Sequence, residues 1–222
     1  MAAFRPLENR TLRADVANEI IRAIAEGELK PGDRVIEQHL AEQMGISRAP
    51  IREALRELEG QGIVVTIDRK GAFVANLTRR DVEELFTLRE ALEGLAVRLT
   101  AGRATQADLD RLAACTAEMK AAAARADVKP FVESDLLFHE LICERSGHRR
   151  LVRMLNGVRT LQRLFMVMSK YSMLAEDQLA REAEAHQPII GALAARDAEA
   201  AESAIRRHIH EAMTHLSSRL PA

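Results

Sequence analysis

The chain has 222 residues, 47% apolar and 29% charged, which is ample for a packed core and too apolar for disorder. It carries 32 basic residues against 33 acidic ones, spread evenly along its length, so nucleic acid could be held only by a local basic face. Aromatic residues make up 3% with no tryptophan, which argues against a base-stacking platform for single strands, and two cysteines are too few for a disulfide framework.

Cys115 and Cys143 sit among apolar helical neighbours and read as reduced core thiols. No apolar run reaches spanning length, and the first residues lack a signal core, so the chain reads as a soluble cytoplasmic protein. Its length favours two modules or one large bundle.

Apolar spacings of three and four predict a mainly helical protein. Leu12, Val16, Ile20 and Ile24 line a first helix that stops near Gly27, and Pro31-Gly32 is a turn. A short helix over 37–44 ends at Gly45, the residue for a left-handed cap. Ser47 is placed to N-cap the next helix, with Ile51, Leu55 and Leu58 inside. The period then changes: Ile63–Ile67, a turn at Asp68–Gly71 and Ala72–Ala75 predict a β-hairpin, the only convincing β structure.

A border is expected near residue 77, giving domains at 1–77 and 78–222. Thr78 with Asp81 and Thr105 with Asp108 look like capping boxes opening two helices. Leu85, Leu88, Leu92, Leu95 and Leu99 stripe the first, and Leu109, Leu112 and Met119 the second. A third helix is expected over 130–146, a fourth over 149–170, and a fifth over 176–195 with a kink or a local loss of hydrogen bonding at Pro188. Asp197 caps a last helix carrying Ala201, Ile205, Ile209, Met213 and Leu216. Phe165, Met166 and Met168 read as core.

A short helix, a glycine turn and a helix headed Ser-Arg-Ala-Pro-Ile-Arg form a helix-turn-helix pattern. Arg48 and Arg52, four apart, share a face, and arginine suits bidentate contact with guanine. Spacing alone leaves room for a plain solvated face of Arg48, Arg52 and Arg56. Pro31-Gly32-Asp33, Gly45-Ile46-Ser47-Arg48-Ala49-Pro50-Ile51-Arg52-Glu53-Ala54-Leu55 and Gly71-Ala72-Phe73-Val74 closely resemble the winged helix-turn-helix of the GntR family of bacterial transcription regulators.

The resemblance implies a homodimer on a near-palindromic double-stranded operator, touched by Ser47, Arg48, Pro50, Arg52 and the wing residue Gly71. Charge and place add Arg69 and Lys70 at the hairpin tip. Some relatives have arginine where this chain has Gln38, which implies a different base preference.

In the second module Asp135 and His139 are i and i+4 on one helix, with His186 and His208 on later ones. Three imidazoles and a carboxylate suit a divalent metal, although each histidine taken singly reads as an ordinary one. Residues 78–217 resemble the all-helical FCD effector domain of FadR-type regulators, in the shorter VanR-like six-helix form. Asp135-x-x-Phe138-His139, His186-x-x-Ile189 and His208 follow its Asp/His/His/His metal motif in order, with zinc the first choice and nickel or manganese the alternatives.

His210 lies about 200° round the helix from His208, and His215 about 10 Å along it, so neither is a ligand. His148 reads as a capping residue. Arg89 matches a position where family members keep an arginine facing the effector, against the plain alternative of an exposed arginine paired with Glu93.

Together these imply a repressor whose operator affinity is set by a small carboxylate bound at the metal. The alternatives are a metal that is itself the signal or a structural pin, and a metal-dependent hydrolase. The hydrolase lacks a poised acid/base group, since Glu140 points about 100° away from His139.

Overall fold

The helical periodicity is realised as ten helices and one three-stranded sheet among the residues described by the computed structural model, 10–76, 78–170 and 176–218. The chain divides between Asn76 and Leu77 into two compact units. No helix among the described residues is long and apolar enough to cross a membrane.

The first unit runs α1 (Arg10–Ala25), β1 (Arg34–Val35), α2 (Glu37–Met44), α3 (Arg48–Gly60), β2 (Val64–Ile67) and β3 (Gly71–Val74). Val16, Ile20 and Ile24 of α1 meet Ile51, Ala54 and Leu58 of α3 in its core, while Leu12, at the open end of the stripe, is 38% exposed. Gly45 closes α2 at φ 65°, donating back to Ala41 and Glu42, which turns the chain sharply into α3.

The sheet order is β1-β3-β2, antiparallel throughout, with Val65 opposite Phe73. Strand β1 was not expected. It is two residues long, Arg34 opposite Phe73 and Val35 opposite Ala72, too short to leave a period-two pattern.

The second unit is α4 (Arg79–Ala101), α5 (Gln106–Ala124), α6 (Val128–Arg145), α7 (Arg149–Lys170), α8 (Glu176–Glu184), α9 (Gln187–Ala194) and α10 (Ala198–Ser217). Both capping boxes form: Thr78 and Thr105 each accept from the backbone three residues on, and Asp81 and Asp108 accept from the backbone of the cap residue. Asp197 caps α10 through Glu199 and Ala200. His148 accepts from the Leu151 N–H at 3.1 Å and caps the start of α7.

Helix α4 packs along α10 and α5 along α6, around Phe86, Met119, Phe131, Phe138, Ile142, Leu179 and Ile205. Cys115 and Cys143 are free thiols buried in this core.

Two expectations change here. The leucine stripe of α4 is only partly its buried face: Leu85 lies in the core and Leu92 packs against it, Leu88 and Leu95 are 40% and 42% exposed, and Arg89 and Glu93 are buried. The expected kinked helix over 176–195 is instead two helices, α8 and α9. Pro188 lacks the N–H that would carry one helix through, so the chain restarts at His186, the N-cap of α9. The side chains of Phe165, Met166 and Met168 lie outside the described residues.

Candidate functional site

The polar face of the first unit is built around α3. Ser47 occupies its N-cap, yet its side chain makes no cap hydrogen bond. The third helical residue is Pro50, which lacks the N–H that a cap hydroxyl commonly takes, so the Ser47 hydroxyl remains available to a phosphate. Arg48 Nη2 and Arg52 Nε both donate to the same Glu37 oxygen on α2, at 2.8 and 2.7 Å, with each arginine side chain about half exposed (54% and 53%). The two arginines are therefore held side by side by one carboxylate while remaining half exposed.

At the hairpin tip Arg69 has a φ of 61° and a side chain 92% exposed, Lys70 is exposed, and Gly71 has a φ of 98°. A Cβ on Gly71 would stand 3.5 Å from the Arg34 guanidinium. Arg34 thus belongs to this basic tip, which sequence reading missed because the unrecognised strand β1 brings it there.

Glu37→Gln is expected to loosen both arginines and remove an acidic group from the basic face. Discrimination between operator and random duplex should fall by roughly tenfold, about half the range of one good bidentate contact, with little change in total affinity. Competitive fluorescence anisotropy checks this.

In the second unit one cluster gathers all four predicted ligands. Asp135, His139, His186 and His208 are buried, and one ligand atom from each lies within 4.8 Å of the others. Asp135 and His139 come from adjacent turns of α6, His186 from the break between α8 and α9, and His208 from α10. The His139 and His208 rings stack at 5.3 Å, and His186 lies 4.2 Å from His208. The buried ring of Phe138 packs edge-on against His186 at 4.6 Å.

Hydrogen bonds to the far nitrogens fix two of the rings. His139 Nδ1 is 2.5 Å from Glu93 Oε2, and His186 Nδ1 is 3.0 Å from the Glu182 carbonyl. Both acceptors take an N–H from Nδ1, and in the neutral ring that leaves Nε2 as a lone pair. Those two Nε2 atoms are buried with no hydrogen-bond partner, and His186 Nε2 faces Asp135 Oδ1 at 3.4 Å. Lone pairs converging on a carboxylate in a buried site repel unless a cation lies among them, so these residues fit a divalent metal. Burial, with His186 and His139 beside it, pushes His208 well below the ordinary histidine range, which keeps it the neutral imidazole a metal needs.

Behind His139 stands a buried chain of which sequence reading gave only Arg89 and its pairing with Glu93. Arg89 Nε donates to Glu93 Oε1 at 2.7 Å, and both side chains are 3% exposed. The remaining guanidinium nitrogens reach the Gln162 amide oxygen at 3.0 and 3.2 Å once that amide is oriented to accept, and the guanidinium lies 4.9 Å from the Phe86 ring centre. Burial would raise the Glu93 carboxyl, but Arg89 and His139 outweigh it and hold it at about 2. The expected Arg89–Glu93 pair exists, but Arg89 is buried rather than exposed.

A cavity of about 430 Å³, within the usual range for small-molecule sites, opens onto this cluster. Arg89, Asp135, His139 and His208 line its depth, with Phe86 and Leu216 as apolar wall. Exposed Arg181, Glu211 and His215 form part of its rim. His215 is not among the four gathered residues but does line the cavity. Arg181 gave no sequence signal, since nothing in its spacing links it to the histidines. His210 points elsewhere, 3.2 Å from Glu90, and Glu140 pairs with Arg159.

Comparison with known proteins agrees with both units. Residues 12–74 match the family described as bacterial regulatory proteins, gntR family, and residues 84–211 match the FCD domain. A probable D-xylose utilization operon transcriptional repressor of Paenarthrobacter nicotinovorans is 31% identical over 208 residues, 94% of this chain and 90% of that one. The uncharacterized HTH-type transcriptional regulator YdhC of Bacillus subtilis is 32% identical over 200 residues, 90% of this chain and 88% of its own. Among solved structures, E. coli McbR/YncC superposes with a TM-score of 0.80 at 25% identity, over 94% of this chain and 98% of that one.

Proposed function

The chain belongs to the GntR family of bacterial transcription regulators, with an FCD domain behind its DNA-binding domain, and from that premise we propose that it is a homodimeric repressor released from its operator by a small carboxylate. As a family member it is a DNA-binding regulator and not an enzyme. The repressor assignment draws on the name of the Paenarthrobacter relative.

One observation carries the effector reading: the cavity opens directly onto Asp135, His139 and His208 and includes Arg89 in the same wall. A purely structural metal site is closed by its ligands, whereas this one leaves a face toward a space of ligand size. A divalent ion, zinc first, would be held by Asp135, His139, His186 and His208, and would supply positive charge and open coordination positions for an acid. Arg89 offers further N–H donors at the same depth, beside the apolar side chains of Phe86 and Leu216.

Because α4, α6 and α10 all contribute to the wall, an acid that prefers one arrangement of these helices shifts their equilibrium. Helix α4 begins five residues after the wing strand β3, so its movement passes along the chain toward Gly71, Arg69 and Lys70. On the operator, Ser47, Arg48, Pro50 and Arg52 enter the major groove of each half-site. Half-sites about 34–36 Å apart make a dimer sensitive to displacements of a few ångströms.

A thermal-shift screen of mono-, di- and tricarboxylates against zinc-loaded and metal-stripped protein tests this. An acid at 100 times its dissociation constant adds about 2.7 kcal/mol, so a hit is expected in loaded protein only. Equal shifts in stripped protein would overturn binding through the metal. No hit, with stripping alone lowering the melting point, would favour a sensed or structural metal.

A further inference from the structure

We propose that Glu93 is the positioning residue that decides which nitrogen of His139 faces the ligand cluster, and that Arg89 holds Glu93 in the orientation this requires. The inference rests on the metal reading of the cluster, and it adds a role for two buried residues outside the ligand set.

Glu93 has two oxygens with two separate duties. Oε1 accepts from Arg89 Nε at 2.7 Å, and Oε2 meets His139 Nδ1 at 2.5 Å. A carboxylate can only accept, so Nδ1 must carry the hydrogen. The unprotonated Nε2 then points into the cluster, where it has no hydrogen-bond partner. His139 thus meets the cluster with a lone pair already formed, and no tautomer change is needed on metal binding.

The pairing on Oε1 makes the arrangement directional. Arg89 donates only, and its buried charge demands an oxygen at that position. In Glu93→Gln the shape is kept, but the single amide oxygen is drawn to Arg89. The NH2 group is then left facing His139 Nδ1. Two donors cannot face each other in a buried site, so the imidazole must move its hydrogen to Nε2 and cap the nitrogen that faces the other ligands.

Replacing Arg89 as well removes this constraint. In the double variant Glu93→Gln/Arg89→Met, the amide can turn its oxygen to His139, and Nδ1–H is restored. A merely structural role for the pair predicts the opposite order, with the double variant at least as impaired as the single one.

The experiment uses the full chain. Zinc affinity is measured by chelator competition for wild type, Glu93→Gln and the double variant, and the imidazole tautomers of the metal-free proteins are read by ¹⁵N-edited NMR. Glu93→Gln is expected to bind zinc roughly 10–100-fold more weakly, the usual cost of losing an outer partner of a ligating histidine. The double variant should recover most of that loss. In metal-free protein, His139 should be Nδ1–H in wild type and in the double variant, and Nε2–H in Glu93→Gln.

An unchanged His139 tautomer in Glu93→Gln, or a double variant binding zinc no better than the single, overturns the proposal. Should Glu93→Gln fail to fold around its unpaired Arg89, the double variant with Nε2–H at His139 would overturn it equally. A wild type that binds no zinc yet holds His139 as Nδ1–H would sink the metal reading and leave the tautomer assignment standing.

Discussion

His186→Ala is expected to lower zinc affinity by more than about 100-fold, beyond the 10–100-fold typical of losing an outer partner. The ring is fully buried at the break between α8 and α9, with Nδ1 on the Glu182 carbonyl and Nε2 toward Asp135. Alanine removes one of the four proposed ligands, and water cannot replace it cheaply behind the ring of Phe138. Elemental analysis after gel filtration should find wild type metallated and the variant largely empty. Zinc should raise the melting point of wild type and leave that of the variant unchanged. Operator binding without effector should persist, because Arg48, Arg52 and the wing lie in the other unit. A folded variant that binds no operator would instead make the metal part of the DNA-bound state.

Arg52→Ala acts on the other half of the account. Arg52 sits one turn into α3 beside Arg48, with both held by Glu37. Loss of a bidentate base contact costs about 1–3 kcal/mol, and the proposed dimer on a near-palindrome would lose it twice, so operator affinity should drop by roughly 30-fold to 10⁴-fold. Zinc content and carboxylate-induced thermal shifts should match wild type. Should Arg52 serve only phosphate, random and operator duplexes would weaken together and the salt slope would shrink. A loss of zinc in this variant would contradict the assignment of metal and DNA to separate units.

The sequence announced most of the fold because its signals are local. Gly45 after the α2 pattern, and Thr-x-x-Asp at 78 and 105, each specify a boundary through backbone chemistry within four residues. Strand β1 escaped because two residues carry no period, and with it went Arg34 beside Gly71.

On α4 the leucine stripe coincides only in part with the buried face: Leu85 is in the core, while Leu88 and Leu95 are exposed. Hydrophobic spacing finds an apolar ridge, but the side turned inward also carries Arg89 and Glu93, whose burial depends on His139 and Gln162 from α6 and α7. A pair at i and i+4 looks like an exposed salt bridge until the third dimension supplies its partners. The four gathered residues were named through resemblance, since no spacing rule joins His186 and His208 to α6. The break at His186 follows from Pro188, which the sequence did flag as a kink or a local loss of hydrogen bonding within one helix.

The central claim is that an acid in the metal cavity controls DNA affinity, and the most direct test is operator binding under four conditions. An operator selected in vitro from random duplexes by the zinc-loaded protein is titrated with loaded and stripped protein, each with and without a saturating carboxylate from the thermal screen. The account predicts that the acid weakens operator binding of loaded protein by at least about tenfold, which requires about 1.4 kcal/mol of differential affinity, and leaves stripped protein unaffected. Loaded protein that binds the acid and holds its operator with unchanged affinity would contradict it.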